Sequence, residues 1–323
     1  MAVAPPDGYT GGRETAGGST DVATAELAQF AATVGRHTTA DGAFDTAVPG
    51  LRLFRASAPS NHNANLYEPS LCVVAQGAKE VLLAGETYRY DPAHSLLVSV
   101  DLAVASRVVE ASPGRPCLVV RVALDPAVVG ELLAGGTAER SGPAVRGIAA
   151  SPVEPLLLDA VTRFVALLDC PRDIGPLAPL VLREITYRVL TGPQGLRLRQ
   201  IALAGAPAQR IARAIRWLND HFAKPLRVEA LARHVGLSPS AFHLHFKGVT
   251  ALSPLQYQKR LRLREARRLM LGERIDAAEA AFRVGYESPS QFGREYLRMF
   301  GASPRRDVTA LKVEVQPASF SGA

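Results

Sequence analysis

Two segments near the C-terminus share one layout, and this duplication constrains the fold more than any other feature of the chain. Each segment, 228–246 and 275–296, has a short alanine-rich stretch, a glycine, and an amphipathic stretch that opens with Ser-Pro. The glycine supplies the positive φ of a tight turn, the serine caps the second helix, and the proline takes its first position, where no N–H bond is needed. Two such helix-turn-helix units predict an all-α DNA-binding domain.

Helical geometry predicts which side chains of the second helix in each unit face outward. Phe242 and Phe246 are four residues apart and are expected to face the core, as are Phe292 and Tyr296. The outward positions, predicted to contact DNA, are Ser240, His243, Leu244, Lys247, Ser290, Gln291, Arg294 and Arg298.

The outward side chains differ in the contacts that they favour. Gln291 can pair with adenine and Arg294 with guanine through two hydrogen bonds each, whereas Lys247 and Arg298 are expected at phosphates. For His243, a base acceptor, a phosphate and no specific contact all remain open. Leu244 either contacts a thymine methyl group or indicates a first helix that contributes less specificity than the second.

A helical run joins the two units. It places Leu261, Ala266, Leu269 and Met270 toward the core and several arginines outside. A stiff helix of roughly fifteen residues spans about 22 Å. Bundles at its ends would then hold the two recognition helices about one DNA turn apart, roughly 34 Å.

The positive charge of the chain is concentrated in the same region. Residues 208–310 contain 19 Lys and Arg against 9 Asp and Glu, whereas the rest of the chain contains 18 against 21. A net charge of +10 in this third and −3 elsewhere is typical of a domain that neutralises phosphates, so its DNA binding should weaken with salt.

From Ile211 to about Asp307, the chain resembles the AraC/XylS transcription regulators, whose DNA-binding domain consists of two helix-turn-helix units joined by a long helix. The most specific matches are residues 252–257 (LSPLQY), 284–292 (VGYESPSQF) and 300–305 (FGASPR). Residues 67–74 and 96–101 are similar to the N-terminal β domain of one AraC-type subgroup. The resemblance implies a DNA-binding regulator, more often an activator, with an N-terminal domain that senses an effector or assembles the protein.

Short β-rich runs punctuated by glycine and proline occupy residues 51–123 and predict an antiparallel barrel or jelly roll, similar to the cupin-like domains of relatives. We therefore predict an α+β chain: a cupin-like domain with appended helices, followed by the all-α domain. The predicted strands are 51–56, 70–76, 79–83, 87–90, 95–100, 103–109 and 117–123; the helices are 126–133, 153–168 and 177–190. The predicted bounds are a disordered tail at 1–20, the sensor domain at 21–190, a linker at 191–207, the DNA-binding domain at 208–310 and a tail at 311–323.

The sensor domain offers two hypotheses for an effector. Cys72 could react with an electrophile, or a ligand could bind noncovalently inside the barrel near Tyr67, Tyr88, Arg89 and Tyr90. His62 and His94 stand alone, so we expect no metal, and with no phosphate loop or nucleophile elbow we expect no cofactor and no enzyme activity.

The expected partners are double-stranded promoter DNA, RNA polymerase, a small-molecule effector and a second copy of the chain. Three scattered cysteines and the lack of a membrane-length apolar run favour a protein of the reducing cytoplasm without a membrane partner. The alternative is a cupin-like sensor or enzyme domain whose basic C-terminal module binds nucleic acid without sequence preference.

Overall fold

A computed structural model describes residues 18–134, 145–202, 206–273 and 275–315. Its N-terminal half contains two antiparallel sheets, one with the order β1-β2-β9-β4-β7-β10 and one with the order β3-β8-β5-β6. The strands are β1 (Gly42–Asp45), β2 (Leu51–Ala56), β3 (Asn63–Tyr67), β4 (Ser70–Gln76), β5 (Ala78–Leu83), β6 (Glu86–Tyr90), β7 (His94–Val98), β8 (Leu102–Glu110), β9 (Cys117–Ala123) and β10 (Ile148–Pro152). The two stacked sheets confirm the predicted β domain of an α+β protein.

Burial explains why two strands have continuous apolar runs instead of alternation. β4 and β9 lie side by side in the middle of the larger sheet, and β4 is buried along nearly its whole length. The second sheet covers one face of this pair and helix α1 (Gly18–Arg36) packs on the other. A strand that is covered on both faces favours apolar residues at every position.

The described residues of the N-terminal half form four further helices: α2 (Pro126–Ala134), α3 (Pro155–Ala166), α4 (Pro171–Thr191) and α5 (Gly195–Ala202), with a 3-10 turn at Leu167–Asp169. Two predicted domain bounds in this half need correction. Helix α1 begins within the predicted tail 1–20, whose first 17 residues lie outside the described part. Helix α5 occupies the middle of the predicted linker 191–207.

In the C-terminal half, residues 206–273 and 275–315 form seven helices: α6 (Pro207–His221), α7 (Val228–His234), α8 (Pro239–Thr250), α9 (Pro254–Gly272), α10 (Ala277–Arg283), α11 (Pro289–Phe300) and α12 (Pro304–Val315). The third correction is at the C-terminus, because α12 extends five residues into the predicted tail 311–323. Residues 316–323 lie outside the described part.

Arg146 joins the β domain to the end of the first recognition helix. Its guanidinium donates to the carbonyl oxygens of Lys247 (3.1 Å) and Gly248 (3.0 Å) and also pairs with Glu86 of β6 (2.9 Å). The N–H of the next residue, Gly147, donates to Val249 O at 2.9 Å. The β domain thus donates hydrogen bonds to three carbonyls in the last turn of α8, of which the Lys247 carbonyl also accepts the N–H of Ala251.

A second contact joins the start of β8 to α6 and α9. Asn219 donates to the carboxylate of Asp101 at 2.9 Å, and the Tyr257 hydroxyl donates to the Asp101 carbonyl at 2.9 Å. Arg260 donates to the Ala103 carbonyl at 3.1 Å. Burial, reinforced by the charge of Glu68, raises the pKa of Asp101 to about 6.

The apolar interior divides unevenly between the two domains. One hydrophobic core runs from the sheets through α3 and α4 into the first helix-turn-helix unit, as far as Leu261 of α9. A separate core, which begins at Leu263, lies within the second unit. The first unit is therefore packed as part of the β domain, and the second is packed mainly on itself.

Candidate nucleic-acid interface

The first unit is built as its sequence predicts. Gly236 has φ +74° in the turn between α7 and α8, and the Ser238 hydroxyl accepts from the N–H of Ala241 at 3.3 Å. Phe242 and Phe246 are fully buried and pack against each other. Because these two rings face the core, the opposite side of α8 faces solvent.

The predicted outward residues of α8 lie on that solvent-facing side. Ser240, His243, Leu244 and Lys247 are all exposed, and Leu244 retains 71% of its accessible surface. No hydrogen bond or ion pair of the described residues involves the side chain of Lys247. An exposed leucine among polar groups suits contact with an apolar base edge.

The second unit repeats this construction with a turn that is one residue longer. Gly285 has φ +90°, and a Cβ there would lie 2.0 Å from the carbonyl oxygen of Ala223. The Ser288 hydroxyl accepts from the N–H of Gln291, and Phe292 and Tyr296 are buried. The glycine therefore permits both the turn and the close approach of the two units.

The predicted outward residues of α11 are exposed, but they have different surroundings. Ser290, Gln291, Arg294 and Arg298 all reach solvent. In the described part of the chain, the Arg294 side chain has no hydrogen-bond or ion-pair partner. Arg298 borders a cleft of about 390 Å³ between α9, α11 and the smaller sheet, so it lies at the edge of the exposed face.

Glu295 is a polar centre of the second unit that the sequence analysis missed. Its carboxylate pairs with Lys259 of α9 at 2.7 Å and accepts from the Tyr286 hydroxyl at 2.8 Å and from Gln291 Nε2 at 3.3 Å. Burial raises the pKa of Glu295, but these hydrogen bonds outweigh it and lower the pKa overall. The four-residue spacing of Gln291 and Glu295 was the available sequence signal.

Arg262 of α9, also missed, fixes one unit against the other. It donates to the carbonyls of Phe222 (2.7 Å), Ala223 (3.2 Å) and Lys224 (3.0 Å) beyond α6 and to the carbonyl of Gly285 (2.8 Å) in the second turn. Helix α9 has 19 residues, a span of about 28 Å at 1.5 Å per residue, and is thus longer than predicted. Sequence periodicity can predict whether such an arginine faces the core or the solvent. It does not predict which carbonyl groups the side chain bonds.

The predicted effector residues fall into two groups. Tyr67, Cys72 and Tyr90 line one cavity of about 220 Å³ in the β domain, together with Lys79 and Arg121. Tyr88 and Arg89 do not line this cavity. Tyr88 donates to Glu86 at 2.5 Å, and Arg89 pairs with Glu110.

Burial determines the chemistry of this cavity. It raises the pKa of the Cys72 thiol and, together with Tyr67, raises that of the Tyr90 hydroxyl. The Lys79 ammonium lies 4.2 Å from the centre of the Phe54 ring and, among the described residues, has no carboxylate at ion-pair distance. The cavity thus offers protonated donors and one ammonium group.

Two negative findings apply to the described residues. They contain no group of three or more His, Cys, Asp and Glu side chains arranged to hold a metal ion. Within the same ranges, no helix combines the length and apolar character needed to span a bilayer.

Known proteins match both halves of the chain. A model of the N-terminus of AraC-type transcriptional regulators matches residues 47–197, and a helix-turn-helix domain model matches residues 231–308. The HTH-type transcriptional activator RhaS of Escherichia coli O1:K1 / APEC is 31% identical over 152 residues, 46% of this chain and 53% of RhaS. The chain thus spans about half the length of the curated relatives that it matches.

Solved structures of ToxT from Vibrio cholerae are similar over both domains. One has a TM-score of 0.54 and 9% identity over 80% of this chain and 94% of ToxT; another has a TM-score of 0.56 and 10% identity over 81% and 98%. At these identities the likeness shows the fold alone. The paired units and the two family models define a two-domain chain of the transcription-regulator class, with a helix-turn-helix domain in its C-terminal half. The family matches identify the chain as a member of the AraC family of transcription regulators.

Proposed function

We propose that the protein binds specific promoter DNA by placing α8 and α11 in adjacent major grooves. The observation that carries this proposal is the pair of capped helices, each with a buried aromatic face and an exposed polar face, joined by α9. Arg262 holds the two units together. A fixed spacing between two helices suits two half-sites one DNA turn apart.

Selection of bound duplexes from a random library by the full-length protein at physiological salt tests this function. The expected result is a motif with two blocks, of which the Gln291→Ala, Arg294→Ala double variant loses one. Specific binding should exceed nonspecific binding by roughly a thousandfold or more. Uniform binding to all sequences would instead support a sensor or enzyme domain with a nonspecific nucleic-acid module.

We also propose a small-molecule effector in the cavity lined by Tyr67, Cys72 and Tyr90. Lys79 and the tyrosine hydroxyls suit a compact ligand that carries hydrogen-bond acceptors or a negative charge. The raised pKa of Cys72 disfavours the thiolate and therefore favours noncovalent binding. If Cys72→Ser abolished a transcriptional response that Lys79→Met retained, covalent capture would replace this proposal.

A homodimer through the surface of α3 and α4 is a further part of the proposal. Leu156, Leu177, Leu180 and Tyr187 are exposed there, and exposed apolar side chains favour association. We infer that the dimer acts in the cytoplasm as an activator that contacts RNA polymerase. Sedimentation of the wild type and of the Leu177→Asp, Leu180→Asp variant tests the dimer, which the substitutions should dissociate.

A further inference from the structure

The carboxylate of Glu295 is held in place from three directions next to a residue of the exposed face of α11. Lys259 approaches from α9, Tyr286 from the preceding turn, and Gln291 from one helical turn earlier. The Glu295 side chain is only 13% exposed. Such a group is a fixed hydrogen-bond acceptor, because its position does not depend on the DNA.

This acceptor changes what Gln291 can offer to a base. A glutamine amide has two N–H donors and one carbonyl oxygen. Gln291 Nε2 directs one N–H to Glu295 Oε1 at 3.3 Å. One N–H and the carbonyl oxygen remain for the DNA.

The two purines differ in this respect. In the major groove adenine presents one acceptor and one donor, whereas guanine presents two acceptors. The remaining N–H and oxygen of Gln291 complement adenine. Guanine would need both N–H groups and would have to break the bond to Glu295.

We propose that Glu295 determines specificity by orienting the Gln291 amide for adenine and against guanine, although it does not touch the base itself. This inference rests on the proposed function, because it requires Gln291 to lie against a base. The ionised carboxylate suits this role, since it accepts hydrogen bonds and cannot donate one that would reverse the amide.

The test compares the affinities of the full-length protein for two duplexes. They differ only in A·T or G·C at one position, which is identified by repeating the selection with the single variant Gln291→Ala and finding the base preference that it abolishes. Wild type should favour adenine about tenfold or more. Glu295→Ala should reduce this ratio to about threefold or less, because both N–H groups of Gln291 become available. Glu295→Gln should have the same effect, because its amide can donate to the Gln291 oxygen.

Tyr286→Phe is the matched control, because it removes a partner of Glu295 Oε2 and leaves the bond to Gln291. It should retain the adenine preference even if its affinity falls. If Glu295→Ala weakened both duplexes equally and kept their ratio, the role of Glu295 would be structural and the inference overturned. If Gln291→Ala altered no base preference, both this inference and the proposed base contact of α11 would fail.

Discussion

At the scale of single residues, substitutions of Arg294 and Lys247 can distinguish a contact with a base from a contact with a phosphate. Both side chains are exposed, and neither has a partner in the described part of the chain. Arg294→Ala should weaken specific binding by about 1–3 kcal/mol and relax the preference at one position, because a bidentate contact with guanine is lost. Titration of cognate and single-mismatch duplexes measures this effect.

Lys247→Ala is the control for Arg294→Ala. It should weaken binding to all sequences alike and reduce the salt dependence by about one released ion. Equal loss of sequence preference in the two variants would contradict the assignment of Lys247 to phosphate.

The raised pKa of Asp101 leads us to expect that the stability of the protein falls with rising pH in the acidic range. Burial raises its pKa to about 6 in the folded protein, whereas an unfolded aspartate titrates near 4. Between these two pH values the folded state binds more protons than the unfolded state. The contribution of Asp101 to the free energy of unfolding therefore falls as the pH rises from about 4 through 6.

Asp101→Asn should therefore raise the free energy of unfolding at pH 7 by roughly 1–3 kcal/mol and change it little at pH 4. An amide at position 101 could also donate to the Asn219 carbonyl oxygen, which is buried and has no donor among the described residues. Thermal unfolding at both pH values gives the answer. A variant that is less stable at pH 7 would show that the charge of Asp101 stabilises the interface.

At the scale of secondary-structure elements, two glycines of the second unit should respond to alanine with opposite signs. Gly285 has a positive φ and faces the Ala223 carbonyl, whereas Gly293 lies in the middle of α11 with no neighbouring atom within 4 Å of an added Cβ. Gly285→Ala should destabilise the second unit by at least about 2 kcal/mol, through the backbone strain and the clash. Gly293→Ala should stabilise it by about 0.5–1 kcal/mol.

Thermal unfolding of the two variants tests this pair. Similar changes in melting temperature would contradict the geometry described for the second turn.

The periodicity of the sequence predicted most elements, and the missing ones have identifiable causes. Seven strands were predicted, but β1, β3 and β10 were not, because they are short and contain Gly, Asn or Pro. Helix α5 begins between glycines and prolines, which suggested a linker, and packs against α2, α4 and α6. Tertiary contacts thus override weak local propensity.

The exposed faces of α8 and α11 were predictable, because two buried aromatic residues four positions apart fix the orientation of each helix. The hydrogen bonds that join α9 and α11 to other parts of the helical domain were not predictable. The bonds from Glu295 and Arg262 to distant residues depend on how α9 and α11 cross, and no local pattern encodes a crossing.

At the scale of the whole molecule, Arg146 is expected to stabilise the contact between the β domain and the first helix-turn-helix unit. Arg146→Ala should lower the free energy of unfolding by about 1.5–3 kcal/mol, because it leaves the carbonyls of Lys247 and Gly248 without a charged donor. Glu86→Ala should cost less than about 1 kcal/mol, since that ion pair is half exposed. Denaturant unfolding of the two variants compares these costs, and equal losses would assign the stabilisation to the ion pair.

The division of the apolar interior into two cores has a further consequence, which concerns cooperativity. The first unit shares its core with the β domain, whereas the second has one of its own, so the second unit is expected to unfold as a separate cooperative segment. On warming, the amide hydrogens of α10 and α11 should exchange before those of α7 and α8. The DNA protected from cleavage should then shorten from two half-sites to one while the β domain is still folded.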